Sequence, residues 1–217
     1  MGCSPSMQSG CQLPETPTHA VSLTEPFYLG RFELTQSQWT QVMGTNPSYF
    51  RTSPDSPHRP VETVNVPAVQ QYLSATSMRL PSEAEWEYAC RAGSTTAVYG
   101  FAGMPDGSND EASIGQIAWT GANSAGQTHA VGALLPNNFG LYDMIGNVLE
   151  WTNDKFSASY YAISPVQDPP GPPAGPQQAM RGGNWLAEPG NCRTSSRWAD
   201  DSLTAGYQIG FRVARNP

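Results

Sequence analysis

The chain of 217 residues carries 21 Gly and 20 Pro, which limits the regular secondary structure that it can form. Because each Pro lacks a backbone donor and each Gly costs entropy in a helix or strand, the composition excludes a helix bundle, a coiled coil and a doubly wound α/β fold. The net charge of −7, without any basic run, disfavours nucleic acid and anionic membranes as partners. No apolar stretch of the sequence reaches the roughly 20 residues of a membrane-spanning helix.

Helices are predicted only in the first part of the chain. Residues 19–34 alternate between apolar and polar and predict one or two strands. Start and stop signals then predict three short helices, at residues 36–43, about 66–75 and about 83–91. These signals are an N-cap at Thr35 with a stop at Gly44, an N-cap at Asn65 with Pro67 in the first turn, and a capping box of Ser82 and Glu85.

The chain after Gly93 is rich in turns and predicts short, irregular strands. Short apolar segments are separated there by Gly, Pro, Asn and Asp: residues 97–99, 117–119, 131–135, 141–145, 180–181 and 210–214. Two to three short helices followed by short antiparallel strands predict an α+β fold with little regular secondary structure. We expect one domain that spans residues 1–217.

The four cysteines suggest disulfides. Cys3 and Cys11 enclose a short loop that a disulfide closes easily, and Cys90 with Cys192 is a candidate for a second, long-range bridge. An even number of cysteines favours an oxidising compartment. We therefore expect an extracytoplasmic location, secreted or at the cell surface, with a cytoplasmic location as the alternative.

Four segments, in order along nearly the whole chain, carry a family resemblance. They are Phe-Glu-Leu-Thr-Gln-Ser-Gln-Trp at 32–39, Arg-Leu-Pro-Ser-Glu-Ala-Glu-Trp-Glu-Tyr-Ala at 79–89, Gly-Leu-Tyr-Asp-Met-Ile-Gly-Asn-Val-Leu-Glu-Trp at 140–151, and Arg-Gly-Gly-Asn-Trp at 181–185 with Gly-Phe-Arg at 210–212. Together they resemble the formylglycine-generating-enzyme (sulfatase-modifying factor) family. The resemblance implies a C-type-lectin-like fold, which agrees with the Gly and Pro content.

The resemblance implies several functional classes, of which one is a copper oxidase. Formylglycine-generating enzymes oxidise a substrate cysteine with copper and oxygen, using two cysteines after Arg-Gly-Gly. In this chain the first of these positions holds Ala187 and the second falls on Cys192. Because Cu(I) prefers two thiolates, a copper site is disfavoured, and Cys192 is a catalytic candidate only if the protein is active. A copper or non-haem-iron oxidoreductase of the same family is the alternative function.

Histidines and paired carboxylates give little support to an iron site. The three histidines, His19, His58 and His129, show no helical ligand spacing, and we interpret them as unrelated surface or structural residues. Glu83 and Glu87 lie one turn apart on the third predicted helix and are interpreted as structural.

The cofactor that the resemblance implies is a structural calcium ion. Carried over from the family, its ligands are the side chains of Asp143 and Glu150 and the carbonyl groups of Gly146 and Val148. Two carboxylates and a tight turn suit the hard oxygen ligands that Ca²⁺ requires. The alternative is that Asn147 and the Asp143 carboxylate hold the turn without metal.

In this family the segment after Arg-Gly-Gly, here residues 184–201, forms an open face for substrate or ligand. Aromatic, Arg and Asn side chains suit such a face, to which a protein, peptide or small molecule would bind. Alternatively, the two tryptophans belong to the core and the two arginines form ion pairs. The leading prediction is a calcium-stabilised, lectin-like binding protein, similar to the variable proteins of diversity-generating retroelements. The candidate ligand-binding residues are Asn184, Trp185, Ala187, Glu188, Asn191, Arg193, Arg197 and Trp198.

Overall fold

Three short α-helices lie in the first half of the chain in the computed structural model, which describes residues 1–4 and 10–217. They are α1 (Gln36–Met43), α2 (Val66–Thr76) and α3 (Glu83–Arg91). All three predicted helices are confirmed within one residue. In the described part of the chain, no helix is long and apolar enough to cross a membrane.

Side-chain caps explain where these helices begin. The Thr35 hydroxyl accepts from the backbone N–H of Gln38, and the Gln38 side chain accepts from the Thr35 N–H at 2.9 Å. The predicted capping box of Ser82 and Glu85 has the same reciprocal pattern, with distances of 3.1 and 2.7 Å. α1 is followed by Gly44, whose φ of 73° is the left-handed conformation that glycine adopts at the lowest cost.

In the described residues the strands form two small sheets. A four-stranded sheet has the order β4-β3-β2-β5, in which β2 pairs antiparallel with β3 and parallel with β5, and a two-stranded sheet joins β1 to β6. The strands are β1 (Tyr28–Leu29), β2 (Leu149–Lys155), β3 (Gln177–Arg181), β4 (Arg197–Asp201), β5 (Ile209–Gly210) and β6 (Ala214–Arg215).

The strand predictions hold only in part. Of residues 19–34, only β1 is a strand, and residues 141–145 are not extended because Asp143 has a φ of 53°. The longest strand, β2, begins where the sequence indicated a calcium-binding turn. This mixture of three helices and short strands confirms the predicted α+β class.

Two buried clusters form the core. One fills the space between α1, α2 and the sheet, where Trp39 stacks on Tyr72 with ring centroids 5.5 Å apart. The second lies between α3 and the loops of residues 98–118 and 144–145. Both clusters bring together residues that are far apart in sequence, so they fix the loops that carry the candidate site.

The cysteine predictions are half correct. Cys3 and Cys11 form the predicted disulfide. Cys90 and Cys192 do not pair and are buried free thiols, which corrects the second predicted bridge. Each thiol instead contacts a different backbone carbonyl, Met144 for Cys90 at 3.8 Å and Asn184 for Cys192 at 3.9 Å.

Candidate functional site

The segment 184–201 leaves β3 through a tight glycine turn. Gly183 has a φ of 75°, and a Cβ there would lie 2.5 Å from the Cys192 Sγ, so the position requires glycine. The Asn184 side-chain oxygen then accepts from the N–H groups of Leu186 and Ala187 at 2.9 and 3.0 Å. This turn folds the start of the segment back over Cys192.

Cys192, the catalytic candidate, is fully buried. Burial raises the pKa of its thiol to about 12. A thiol that stays protonated near neutral pH is a poor nucleophile. Ala187, the residue that the family resemblance assigns to the other cysteine position, has no side-chain atom that could bind metal.

The two arginines of the predicted ligand face point inward. Arg197 makes a bidentate ion pair with Glu83 of α3, with N–O distances of 2.6 and 2.8 Å. Arg193 pairs with Glu15, which is also buried. The structure therefore places both arginines in internal ion pairs, as the alternative interpretation had it, and not on an open face.

Arg197 belongs to a larger group that we call the α3 cluster. Its members are linked by ion pairs of 2.5 to 3.5 Å and are Glu83, Glu87, Arg91, Arg181 and Arg197. Burial alone would raise the pKa of Glu87, but the nearby Arg181 and Arg91 guanidinium groups outweigh it and hold this pKa below its usual value. The carboxylates of α3 thus serve structure, as predicted.

An aromatic cluster borders the segment on its outer side. Phe50 packs edge-on against Trp185 at 5.4 Å between ring centroids, and Tyr207 lies 5.8 Å from Trp185 and 5.6 Å from Tyr49. Trp185 itself is buried, and its Nε1 donates to the Tyr207 carbonyl. Tyr49 and Tyr207 are 67% and 45% exposed, so this cluster presents two aromatic rings to solvent.

Sequence reasoning missed three members of this aromatic cluster. Tyr49 and Phe50 lie in the loop after α1, and Tyr207 lies beyond residue 201. The adjacent aromatic pair in a polar loop was the available signal. Of the other predicted ligand residues, Asn184 is buried, Ala187, Asn191 and Trp198 are half-buried, and Glu188 is exposed.

A second buried charge group, the Arg212 cluster, contains Arg212 and the carboxylates of Glu33, Asp143 and Glu150. The Arg212 guanidinium makes a bidentate pair with Glu150, with distances of 2.6 and 2.7 Å. The Trp86 Nε1 donates to the same carboxylate at 2.7 Å. Both oxygens of Glu150 are therefore used.

In the described part of the chain, the other two carboxylates of the Arg212 cluster form no ion pair with an arginine. Burial, followed by the negative charges of Asp143 and Glu150, raises the pKa of Glu33 well above its usual value. Burial likewise raises the pKa of Asp143 to about 6. Three carboxylates around one guanidinium leave an excess of negative charge, which a proton or a cation would neutralise.

The predicted calcium ligands fit a cation in part. The Asp143 Oδ2 accepts from the Gly132 N–H at 2.7 Å, whereas Oδ1 is buried and has no hydrogen-bond partner among residues 1–4 and 10–217. Gly146 lies in a turn of positive φ, and Val148 follows it. Glu150 fits less well, because Arg212 already occupies its carboxylate. Two features of this site favour Ca²⁺: the excess of negative charge, and the Asp143 Oδ1, which has no hydrogen-bond partner in the described residues.

The three histidines occupy separate environments. The His129 ring stacks on Trp119 at 3.8 Å, the His19 ring packs edge-on against Tyr161 at 4.6 Å, and His58 is exposed. No group of three or more His, Cys, Asp or Glu side chains in the described residues is arranged to hold a metal ion. The structure thus does not bring the three histidines together into one site.

The fold and the glycine turns at Gly146 and Gly183 define a formylglycine-generating-enzyme-like domain. The chain belongs to the sulfatase-modifying factor enzyme 1-like domain family, which matches residues 3–217. It is 34% identical to a formylglycine-generating enzyme of Streptomyces coelicolor over 168 residues, 74% of this chain and 54% of that protein. The chain thus spans about half the length of this relative.

Solved structures agree with this family. Treponema denticola variable protein 1 is 30% identical, with a TM-score of 0.82 over 91% of this chain and 86% of that one. PvdO from Pseudomonas aeruginosa is 29% identical, with a TM-score of 0.81 over 100% of this chain and 90% of that one. A Major Tropism Determinant variant, 15% identical over 88% of this chain and 50% of that one, shares the fold alone at a TM-score of 0.52. The predicted family and C-type-lectin-like fold are confirmed.

Proposed function

We propose that this domain is a calcium-stabilised binding protein and not an oxidase. Its ligand, a protein, peptide or small molecule, would dock on the exposed part of segment 184–201 together with Tyr49 and Tyr207. The observation that carries the proposal is the state of the two residues that the resemblance assigns to the family's copper cysteines, Ala187 and Cys192. One is an alanine, and the other is a buried thiol whose pKa is raised to about 12.

The exposed rings support a binding role. Tyrosine and tryptophan side chains supply a large contact area at a low cost in conformational entropy, which is why they dominate many recognition surfaces. Here Tyr49 and Tyr207 are held by Phe50 and Trp185 beneath them, so little ordering is left for a ligand to impose. The likeness to a variable protein from Treponema denticola is consistent with this role.

Calcium would act as a structural ion in this proposal. Asp143 and the carbonyl groups of Gly146 and Val148 would hold it, with Glu150 oriented by Arg212 at the edge of the site. The double positive charge would compensate the excess of carboxylates in the Arg212 cluster. The Cys3–Cys11 disulfide further supports an extracytoplasmic location.

Peptide selection tests the ligand face directly. Peptides enriched from a displayed random library on the immobilised protein should lose at least about tenfold in affinity for a Tyr49→Ala/Tyr207→Ala variant. Tyr88→Ala is the matched control, because Tyr88 is 56% exposed and packs on Phe139, outside the aromatic cluster. Peptides that bind all three proteins equally well would place the ligand face elsewhere.

An oxidoreductase is the second candidate, since a curated relative at 34% identity is a formylglycine-generating enzyme. Metal analysis of the purified protein, combined with oxygen consumption in the presence of a cysteine-containing peptide, separates the two functions. Binding alone predicts calcium without oxygen uptake. Stoichiometric copper or iron with oxygen uptake that a Cys192→Ala variant loses would establish the oxidase instead.

A further inference from the structure

The N-terminal segment, residues 1–4 and 10–19, covers Arg193 of the predicted ligand face and places the Glu15 carboxylate against it. The Glu15 Oε1 accepts from the Arg193 Nη2, and Oε2 accepts from the Ser195 hydroxyl at 2.6 Å. Both Glu15 and Arg193 are buried, at 1% and 4% exposure. The side chain of Glu15 thus occupies the position that a bound carboxylate ligand would take.

This segment is one hydrogen-bonded unit tied together by the Cys3–Cys11 disulfide. The Cys3 N–H donates to the Glu15 carbonyl at 2.9 Å, and the Thr18 hydroxyl donates to the Cys3 carbonyl at 2.7 Å. The disulfide is therefore one of the restraints on the chain that presents Glu15, together with the hydrogen bonds from Arg197 to the Pro14 carbonyl at 2.8 Å and from the Gly2 N–H to Glu87 at 2.9 Å.

The site beneath Glu15 has donors that Glu15 leaves unused. Glu15 engages Arg193 end-on, through Nη2, while the Arg193 Nε and the Ser196 hydroxyl are buried without a hydrogen-bond partner in the described part of the chain. A carboxylate that approaches Arg side-on takes both Nε and Nη2 and forms two parallel hydrogen bonds. An incoming carboxylate therefore has available to it one donor, the Arg193 Nε, that Glu15 does not engage.

We propose that Arg193 and Ser195 form a carboxylate-binding site whose present occupant is Glu15, and that the glutamate side chain of a peptide ligand replaces Glu15 once the Cys3–Cys11 disulfide is opened. A dithiol such as dithiothreitol supplies two electrons and two protons to the disulfide, which yields two thiols and the cyclic disulfide of the reagent. Cys90 and Cys192 are buried free thiols and offer it no disulfide. The site lies beneath the N-terminal segment and does not depend on the aromatic cluster.

Chemical rescue tests the site itself. A Glu15→Ala variant removes a CH₂ and a carboxylate, which acetate can replace. At a concentration about ten times its dissociation constant, acetate should raise the Tm of this variant by about 3 °C over chloride of equal ionic strength. Acetamide, the neutral isostere, and a Glu15→Ala/Arg193→Met variant are the controls. Equal effects of acetate and acetamide, or rescue without Arg193, would overturn the proposal.

Displacement is tested on the unsubstituted protein, which keeps the proposal testable if Glu15→Ala does not fold. The probe is the blocked peptide Ac-Gln-Leu-Pro-Glu-Thr-NH₂, the sequence of residues 12–16, whose only carboxylate is the glutamate. After reduction it should bind at least about tenfold more tightly than before, and its Gln-for-Glu counterpart should not bind. Acetate that binds the reduced protein as tightly as the peptide would identify a small carboxylate as the ligand instead. Equal binding of the peptide before and after reduction would show that the N-terminal segment does not gate the site.

Discussion

The α3 cluster and the Arg212 cluster are both buried, but they differ in charge balance. In the α3 cluster two glutamates face three arginines, and Arg181 and Arg197 each contact Glu83. In the Arg212 cluster three carboxylates face one arginine, and Asp143 keeps an oxygen without a partner in the described residues. The charges of the α3 cluster are balanced by its own side chains, whereas the excess negative charge of the Arg212 cluster requires bound protons or a cation at neutral pH.

This difference in charge balance indicates a structural role for the α3 cluster and an ion-binding role for the Arg212 cluster. Buried charges are tolerated when they are paired and hydrogen-bonded, and they become costly when one partner is lost. We therefore expect substitutions in the α3 cluster to act on stability alone. Substitutions in the Arg212 cluster should change both stability and its response to calcium.

Arg181→Met should have the largest effect. The variant leaves Glu83 and Glu87 with fewer counter-charges in the core, where Arg181 is fully buried. The free energy of unfolding should fall by about 3–5 kcal/mol in urea titrations. The matched control is Arg79→Met, because Arg79 pairs with Glu85 of the same helix but has a 34% exposed side chain. The free energy of unfolding of Arg79→Met should fall by about 1 kcal/mol or less. Equal losses in the two variants would contradict the claim that the buried ion pairs of Arg181 matter more than the partly exposed pair of Arg79.

Two substitutions in the Arg212 cluster should change the free energy of unfolding in opposite directions. Without calcium, Asp143→Asn should stabilise the protein by about 1–2 kcal/mol above pH 7, because it removes a carboxylate whose charge is disfavoured mainly by burial and further by the charge of Glu150. Glu150→Gln should destabilise it by about 2–3 kcal/mol, because Arg212 loses its bidentate partner. Thermal unfolding in calcium and in chelator checks both.

The calcium response of these variants provides the decisive comparison. Calcium should raise the Tm of the unsubstituted protein by about 6 °C at 100 times the dissociation constant, and should leave the Tm of Asp143→Asn unchanged. If the Tm of the unsubstituted protein were the same in calcium and in chelator, protons would balance the cluster and the calcium proposal would fail.

Local signals in the sequence predicted much of the fold. The caps at Thr35, Asn65 and Ser82 act on N–H groups three residues away, so they can be recognised without knowing the tertiary structure. The Cys3–Cys11 disulfide closes a loop of similarly short range. These elements were all predicted correctly.

Contacts between distant residues decided the rest. Arg193 and Glu15 are 178 positions apart, so the pairing that buries this candidate ligand residue has no local signal. The aromatic cluster likewise joins the loop after α1 to residues 185 and 207. β2 was missed because its pairing with β3 and β5 is long-range, while its sequence also matched a calcium-binding turn.

The smallest predicted change in the free energy of unfolding concerns Asp154, which lies next to Glu83 of the α3 cluster. It tests how closely the positive and negative charges of this cluster are balanced. Its Oδ2 accepts from the Glu83 N–H at 2.7 Å, and burial, followed by the charge of Glu83, raises its pKa to about 7. Because the pKa of Asp154 in the folded state lies above its usual value of 3.8, the folded state binds the extra proton. Its contribution to stability is therefore fully present below about pH 4 and is lost as the pH rises through 7.

Urea titrations from pH 5 to 8 measure this contribution as a difference between two proteins. Between pH 6 and 8 the free energy of unfolding should fall by about 1.4 kcal/mol more in the unsubstituted protein than in Asp154→Asn, which stays neutral. Asp168→Asn is the control, because Asp168 is exposed and the pKa of its carboxyl, held by Thr24, is lowered. Parallel pH profiles for Asp154→Asn and the unsubstituted protein would mean that Asp154 is already ionised at pH 6. The arginines of the α3 cluster would then balance three carboxylates instead of two.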